Sequence, residues 1–185
     1  TETAMTVLLT RPPGQNQSLV LACEQRDLPF VELPLIQIVP VQEDQQQKQL
    51  VMDLDQYDVI IFISTNAVDF GMSLIDQFWP QLPQLKWYAV GSATGEELGK
   101  WDQVAETPDV PGSEGLLALP GLQRLDQQKV MIVKGMGGRT LLTEALTERG
   151  ASVAELSVYQ RQPVSYSEEA LNKLFTSGAL GYVII

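Results

Sequence analysis

Three successive strand–helix repeats predict an α/β fold in which parallel β-sheets are flanked by helices. DVIIFI (Asp58 to Ile63) precedes a helix from Asn66, KWYAVG (Lys86 to Gly91) a helix from about Ser92, and KVMIVKG (Lys129 to Gly135) a helix from about Arg139. Alternation of this kind builds right-handed parallel βαβ units. The strands also read as unbroken Val/Ile/Met runs, as expected when helices cover both faces of a sheet.

The remaining elements fit the same plan. MTVLLTR (Met5 to Arg11) is a short β-favouring run stopped by Pro12-Pro13-Gly14, which predicts a buried strand ending in a loop. Leu19, Val20, Ala22 and Cys23 fall near helical spacing before a stop at Asp27-Leu28-Pro29. Phe30 to Val39 is strand-like but carries Pro34, which removes a ladder donor and favours a bend or a passage between sheets. Glu43 to Leu54 is polar with a narrow stripe of Leu50, Val51 and Leu54, the pattern of a solvated helix. Ser152 to Gln162 predicts a long strand, Ser167 to Thr176 a helix begun by SEEAL, and Gly181 to Ile185 a further buried strand. A hydrophobic strand at the end of the sequence needs cover, from further chain or from a partner.

Composition narrows the chemistry. With 185 residues, 44% hydrophobic and 19% charged, the chain can bury one large core or two small ones. It has no histidine and one cysteine, so a His-based triad, a His-ligated zinc, a histidine general base and an internal disulfide are all ruled out. Tyr, Ser, Thr, Lys, Asp and Glu remain as candidates. A net charge of -11 with scattered Lys and Arg argues against nucleic acid. No apolar run is long enough to cross a membrane, and Thr1 to Thr10 carries no signal-peptide pattern, so the expected location is the cytoplasm.

Open parallel sheets bind ligands beyond the carboxyl ends of their strands, where helix N-termini converge. The residues there are Thr10-Arg11, Ser64-Thr65-Asn66, Gly91 to Thr94 and Lys134 to Arg139, all small, hydroxylated, glycine-rich or basic. Two readings stand side by side. The loops form an anion-binding rim of backbone N–H groups and hydroxyls, or Ser64, Thr65, Asn66, Ser92 and Thr94 simply cap helices. GMGGR is no dinucleotide fingerprint, because the third glycine position is Thr140, and no P-loop occurs. Tyr159 is either a hydroxyl aimed into a cleft or a strand aromatic, and Cys23 reads as a packed residue.

VLLTRP, FISTNAV, AVGSATGEEL, VMIVKGMGGRTLLTEALTERGASV and VYQR occur in an order and spacing that resemble the uroporphyrinogen-III synthase family. The resemblance implies two α/β domains joined by two extended crossing strands, with the second domain inserted in the first. It puts domain one at residues 1–37 and 163–185, domain two at 41–158, and the crossings at Phe30 to Val39 and Ser152 to Gln162. Members of the family usually continue for further strand–helix units. The implied substrate is hydroxymethylbilane, a linear tetrapyrrole, closed with loss of water and inversion of its last ring. Tyr159 matches the tyrosine thought to assist departure of the hydroxyl. Arg11, Ser64, Thr65, Asn66, Ser92, Thr94, Gly135, Gly138 and Arg139 are the expected substrate contacts. No metal or cofactor is implied, and the chain is expected to act as a monomer without nucleic-acid or membrane partners. The competing reading is a non-catalytic two-domain binding protein for an anionic small molecule.

Overall fold

A computed structural model describes residues 5–176 and 180–185. The chain divides into two compact units, Thr1–Val39 with Arg161–Ile185, and Pro40–Gln160.

In the first unit β1 (Thr6–Leu9) pairs in parallel with β2 (Phe30–Glu32) on one side and with β8 (Leu180–Ile184) on the other. Val7 and Leu9 point into a core with Cys23 of α1 (Gln17–Glu24), closed by Leu19, Val20, Phe30 and Ile184. Cys23 is buried there, as an apolar residue would be. The Thr10 hydroxyl donates to the Ile184 carbonyl (2.9 Å), tying the end of β1 to β8. Helix α7 (Glu168–Thr176) places Glu168 and Glu169 in its first turn, where carboxylates meet the positive end of the helix.

The second unit is built on a five-stranded sheet of order β3-β7-β6-β4-β5. Its members are β3 (Ile36–Pro40), β4 (Val59–Phe62), β5 (Lys86–Ala89), β6 (Lys129–Gly135) and β7 (Ser152–Pro163). The pairs β4–β5, β4–β6 and β6–β7 are parallel, which is the arrangement that the repeated strand–helix pattern requires. Every residue of β4 is buried. Val59 and Ile61 join Val130, Ile132, Leu116, Leu142 and Leu146 in one cluster, with α5 (Ser113–Ala118) and α6 (Leu141–Glu148) as its cover. On the opposite face Phe62 stacks on Trp87, with centroids 5.9 Å apart, under α3 (Thr65–Asp76). Two covered faces explain the absence of polar alternation in β4 and β6.

Two local devices fix the helices. Asp44 accepts from the Gln47 N–H (2.7 Å) while the Gln47 side chain accepts from the Asp44 N–H (3.2 Å), a capping box that starts α2 (Gln45–Met52). Arg149 donates to the carbonyls of Leu117 and Leu122, holding the segment after α5 against the end of α6.

The structure refines two expectations. Phe30 to Val39 makes the expected passage between sheets, but as two strands: Phe30–Glu32 belongs to the three-stranded sheet, the ladder breaks around Pro34, and Ile36–Pro40 enters the five-stranded sheet. Proline's missing N–H accounts for the break. The helix expected from about Arg139 begins at Leu141, after a turn in which Gly137 and Gly138 take positive φ values (76° and 91°).

Candidate functional site

The carboxyl ends of β4, β5 and β6 gather the loops Ser64–Asn66, Gly91–Thr94 and Gly135–Arg139 on one edge of the second unit's sheet. Arg11 is exposed in the loop after β1 and belongs to the first unit.

Ser64 is the N-cap of α3, its hydroxyl oxygen accepting from the Ala67 N–H (3.0 Å). The capping reading therefore holds for Ser64. It does not hold for Ser92 or Thr94: the N-cap of α4 (Ser92–Gly99) is Gly91, no side chain caps that helix, and Thr94 is buried within it. Thr65 is exposed and Asn66 half-buried in the first turn of α3.

The same Ser64 oxygen lies 3.0 Å from the Tyr159 hydroxyl, although the two residues are 95 apart in sequence. Three features of the chain bring them together. First, the pairing of β6 with β7 shifts register between Lys134 and Gly135, so that Lys134 faces Ser157 while Gly135 faces Tyr159. The extra residue, Val158, is a bulge, and bulges re-aim the side chains beside them. Val158 and Tyr159 are both buried beside this irregularity. Second, β6 lies between β7 and β4, so the ring must pass over the end of β6 to reach Ser64, across strands spaced about 4.8 Å apart. Third, the residue under the ring is Gly135. A Cβ there would stand 2.5 Å from Tyr159 Cζ and 2.6 Å from Cε2, so a side chain at 135 and the ring cannot occupy this space together. The ring of Phe70 on α3 lies near that of Tyr159, with centroids 6.1 Å apart and planes tilted by 30°.

Beside this unit lies a cavity of about 290 Å³. Its lining combines apolar Ile63, Val90, Ile132 and Leu142 with polar Ser113, Glu114, Lys134, Arg139, Thr143 and Glu155. Tyr159 does not line it. The Gly112 N–H donates to the Val90 carbonyl (3.0 Å), which draws the start of α5 to the end of β5. Lys134, buried at the close of β6, donates to Glu155 (3.1 Å), which also accepts from Thr143. Burial pushes the Glu155 carboxyl up, but the hydrogen bonds from Thr143 and Lys134 and the Lys134 charge outweigh it, leaving the group below its ordinary carboxylate range.

Of the expected contacts, Gly138 and Arg139 line this cavity, whereas Gly135 and the half-buried Ser64 meet Tyr159 next to it. Sequence reasoning missed Ser113 and Glu114, although Pro111-Gly112-Ser113-Glu114 has the turn-then-acid form of a helix start. It also gave no role to Glu155, whose partner is 21 residues away on the neighbouring strand. Among the described residues no cluster of three or more His, Cys, Asp or Glu could hold a metal, and no helix is long and apolar enough to cross a membrane.

A parallel sheet whose carboxyl edge carries glycine loops, a capped helix and a buried tyrosine, with a partly apolar cavity among those loops, defines the class: an α/β protein with a small-molecule site of the open-sheet type. The model for the family described as uroporphyrinogen-III synthase HemD matches residues 17–185. Among curated proteins, the uroporphyrinogen-III synthase of Escherichia coli K12 is 33% identical over 174 residues, covering 90% of this chain and 70% of its own length. That of Proteus mirabilis is 31% identical over 175 residues, covering 89% and 84%. Among solved structures, a mutant uroporphyrinogen III synthase of Thermus thermophilus superposes with a TM-score of 0.69 at 17% identity, covering 98% of this chain and 73% of that one. The Helicobacter pylori protein gives 0.57 at 16% identity, covering 92% and 68%. At such identities these two similarities speak for the fold alone. The chain belongs to the uroporphyrinogen-III synthase family, enzymes of tetrapyrrole and heme biosynthesis.

Proposed function

We propose that the chain closes hydroxymethylbilane to uroporphyrinogen III, a lyase reaction that releases water and inverts ring D. Family membership, together with the Tyr159 hydroxyl held at the carboxyl end of the sheet, is the observation that carries this reading. A phenol is protonated at neutral pH and can donate. Tyr159 gives its proton to the terminal hydroxyl, the C–O bond breaks, and water leaves an electrophilic azafulvene. The substituted carbon of the last ring attacks it to form a spiro intermediate, which opens and recloses with that ring inverted. The proton lost as the ring regains its aromaticity balances the one given up by the phenol. Without an enzyme the bilane closes to the symmetric isomer, so the main task of the protein is to hold a flexible chain in one geometry.

The substrate is a polyanion and the protein carries a charge of -11. Screening over ~8 Å leaves local donors in control. Backbone N–H groups of the Gly135 to Arg139 loop, the guanidinium of Arg139 and the first turn of α3 at Thr65 and Asn66 serve that purpose, with Ser92 as a further exposed donor. We take the two units as the two domains of the enzyme, and the chain as a cytoplasmic monomer without nucleic-acid partners.

The test is an assay of hydroxymethylbilane turnover with separation of the two product isomers, for the wild type and for Tyr159→Phe. A protein that only binds leaves the symmetric isomer dominant. Phenylalanine keeps the ring over Gly135 but removes its hydroxyl, so turnover should fall roughly 10–100-fold with the asymmetric product retained and the melting temperature little changed. Wild-type turnover in Tyr159→Phe would remove the general-acid role.

A further inference from the structure

We propose that Ser64 is the positioning residue of Tyr159, holding the phenol oxygen over Gly135 and stabilising the negative charge that forms there as its proton leaves. This rests on the reading of Tyr159 as the general acid. A serine hydroxyl has one hydrogen to donate and two lone pairs. One lone pair of Ser64 is engaged by the Ala67 N–H (3.0 Å), which fixes the oxygen at the start of α3, 3.0 Å from Tyr159. Either oxygen can donate across the 3.0 Å contact, and in the proposed arrangement the Ser64 hydrogen goes to the phenol oxygen.

Two effects strengthen that donor as the phenol ionises. The Ala67 N–H polarises the serine hydroxyl in a chain of hydrogen bonds. The N-terminus of α3, a twelve-residue helix, puts its positive end behind the serine oxygen. Both act where charge develops as the proton is transferred, and so lower the barrier to that step rather than tighten substrate binding. Gly135 leaves the space the ring fills and Phe70 packs near the ring, so the hydroxyl stays at the position set by Ser64.

The experiment is a double-mutant cycle on the full chain with Ser64→Gly, Tyr159→Phe and the pair, read as kcat and KM for hydroxymethylbilane. Glycine serves as an N-cap almost as well as serine, so Ser64→Gly should shift the melting temperature by no more than about 2 °C. Its kcat should fall about 3–10-fold with KM unchanged, the worth of one neutral hydrogen bond, and Ser64→Thr should recover it. In the Tyr159→Phe background Ser64→Gly should change kcat by less than about twofold, because nothing remains for Ser64 to act on. If the two losses multiply, Ser64 touches the substrate itself and the inference fails. A slow Tyr159→Phe beside a Ser64→Gly of wild-type rate would overturn the inference alone, while wild-type rate in Tyr159→Phe would overturn the acid and this inference together.

Discussion

The Lys134–Glu155 pair should respond asymmetrically to loss of either partner. Only 7% of the Lys134 side chain is exposed, against 34% of Glu155, and their charged atoms are 3.1 Å apart. Glu155→Leu leaves a nine-tenths-buried lysine without its acceptor. Stranding one member of a fully buried pair costs about 3–5 kcal/mol. The exposed third of Glu155 and the adjoining cavity let water approach, so the expected cost is about 2–3 kcal/mol, or a melting temperature lower by roughly 4–12 °C. Lys134→Met removes the buried charge, keeps much of the volume, and leaves a carboxylate that retains Thr143 and solvent, so it should cost less than about 1 kcal/mol. Chemical denaturation of both variants at several pH values is the assay. The folded Glu155 carboxyl is held below its ordinary range, so the pair's contribution is complete above the ordinary carboxylate pKa and fades as pH falls through the lowered folded value. The penalty of Glu155→Leu should therefore shrink in acid. Equal penalties for the two variants, or a larger one for Lys134→Met, would refute the reasoning.

Two further outcomes are expected. Gly138 has φ +91°, so Gly138→Ala should cost about 1–3 kcal/mol of local strain and Gly138→Pro should disrupt the loop, raising KM for hydroxymethylbilane far more than Thr65→Ala at an exposed position; equal tolerance in folded proteins would remove the loop from the site. Asp69 on α3 has its pKa raised by burial, by the Glu97 charge and by a hydrogen bond with Glu97, partly offset by Lys100. The fold thus binds a proton more tightly than the unfolded chain, and stability is lost as pH rises from the ordinary Asp value through the raised one. Asp69→Asn should raise the melting temperature slightly at neutral pH and not at pH 3, and a fall at neutral pH would contradict this.

The strands and their parallel pairing were legible because burial on both faces leaves a continuous apolar run, as in Val59 to Phe62 and Val130 to Val133. The positions of the loops were legible too, since Gly137-Gly138 and Ser64 mark a turn and a helix start by their own chemistry. Those properties are local: each depends on a few neighbours along the chain. The break at Pro34 was readable for the same reason, though not which half would join which sheet.

What the site does with these residues is another matter. Alternation along β7 says nothing of the bulge at Val158, so the direction of the Tyr159 hydroxyl could not be read from VYQR. The need for glycine at 135 looks like loop chemistry in GMGGR, but its physical cause is the tyrosine ring lying on it from the neighbouring strand. Ser64 could be read as a cap, and is one, yet its second partner stands 95 residues away and meets it only because β6 lies between β4 and β7. The sequence by itself determined the elements and the edge of the sheet where chemistry belongs. The tertiary structure alone decided which hydroxyls meet, because strand order and register are set by packing of the whole sheet and leave no mark on the residues they bring together.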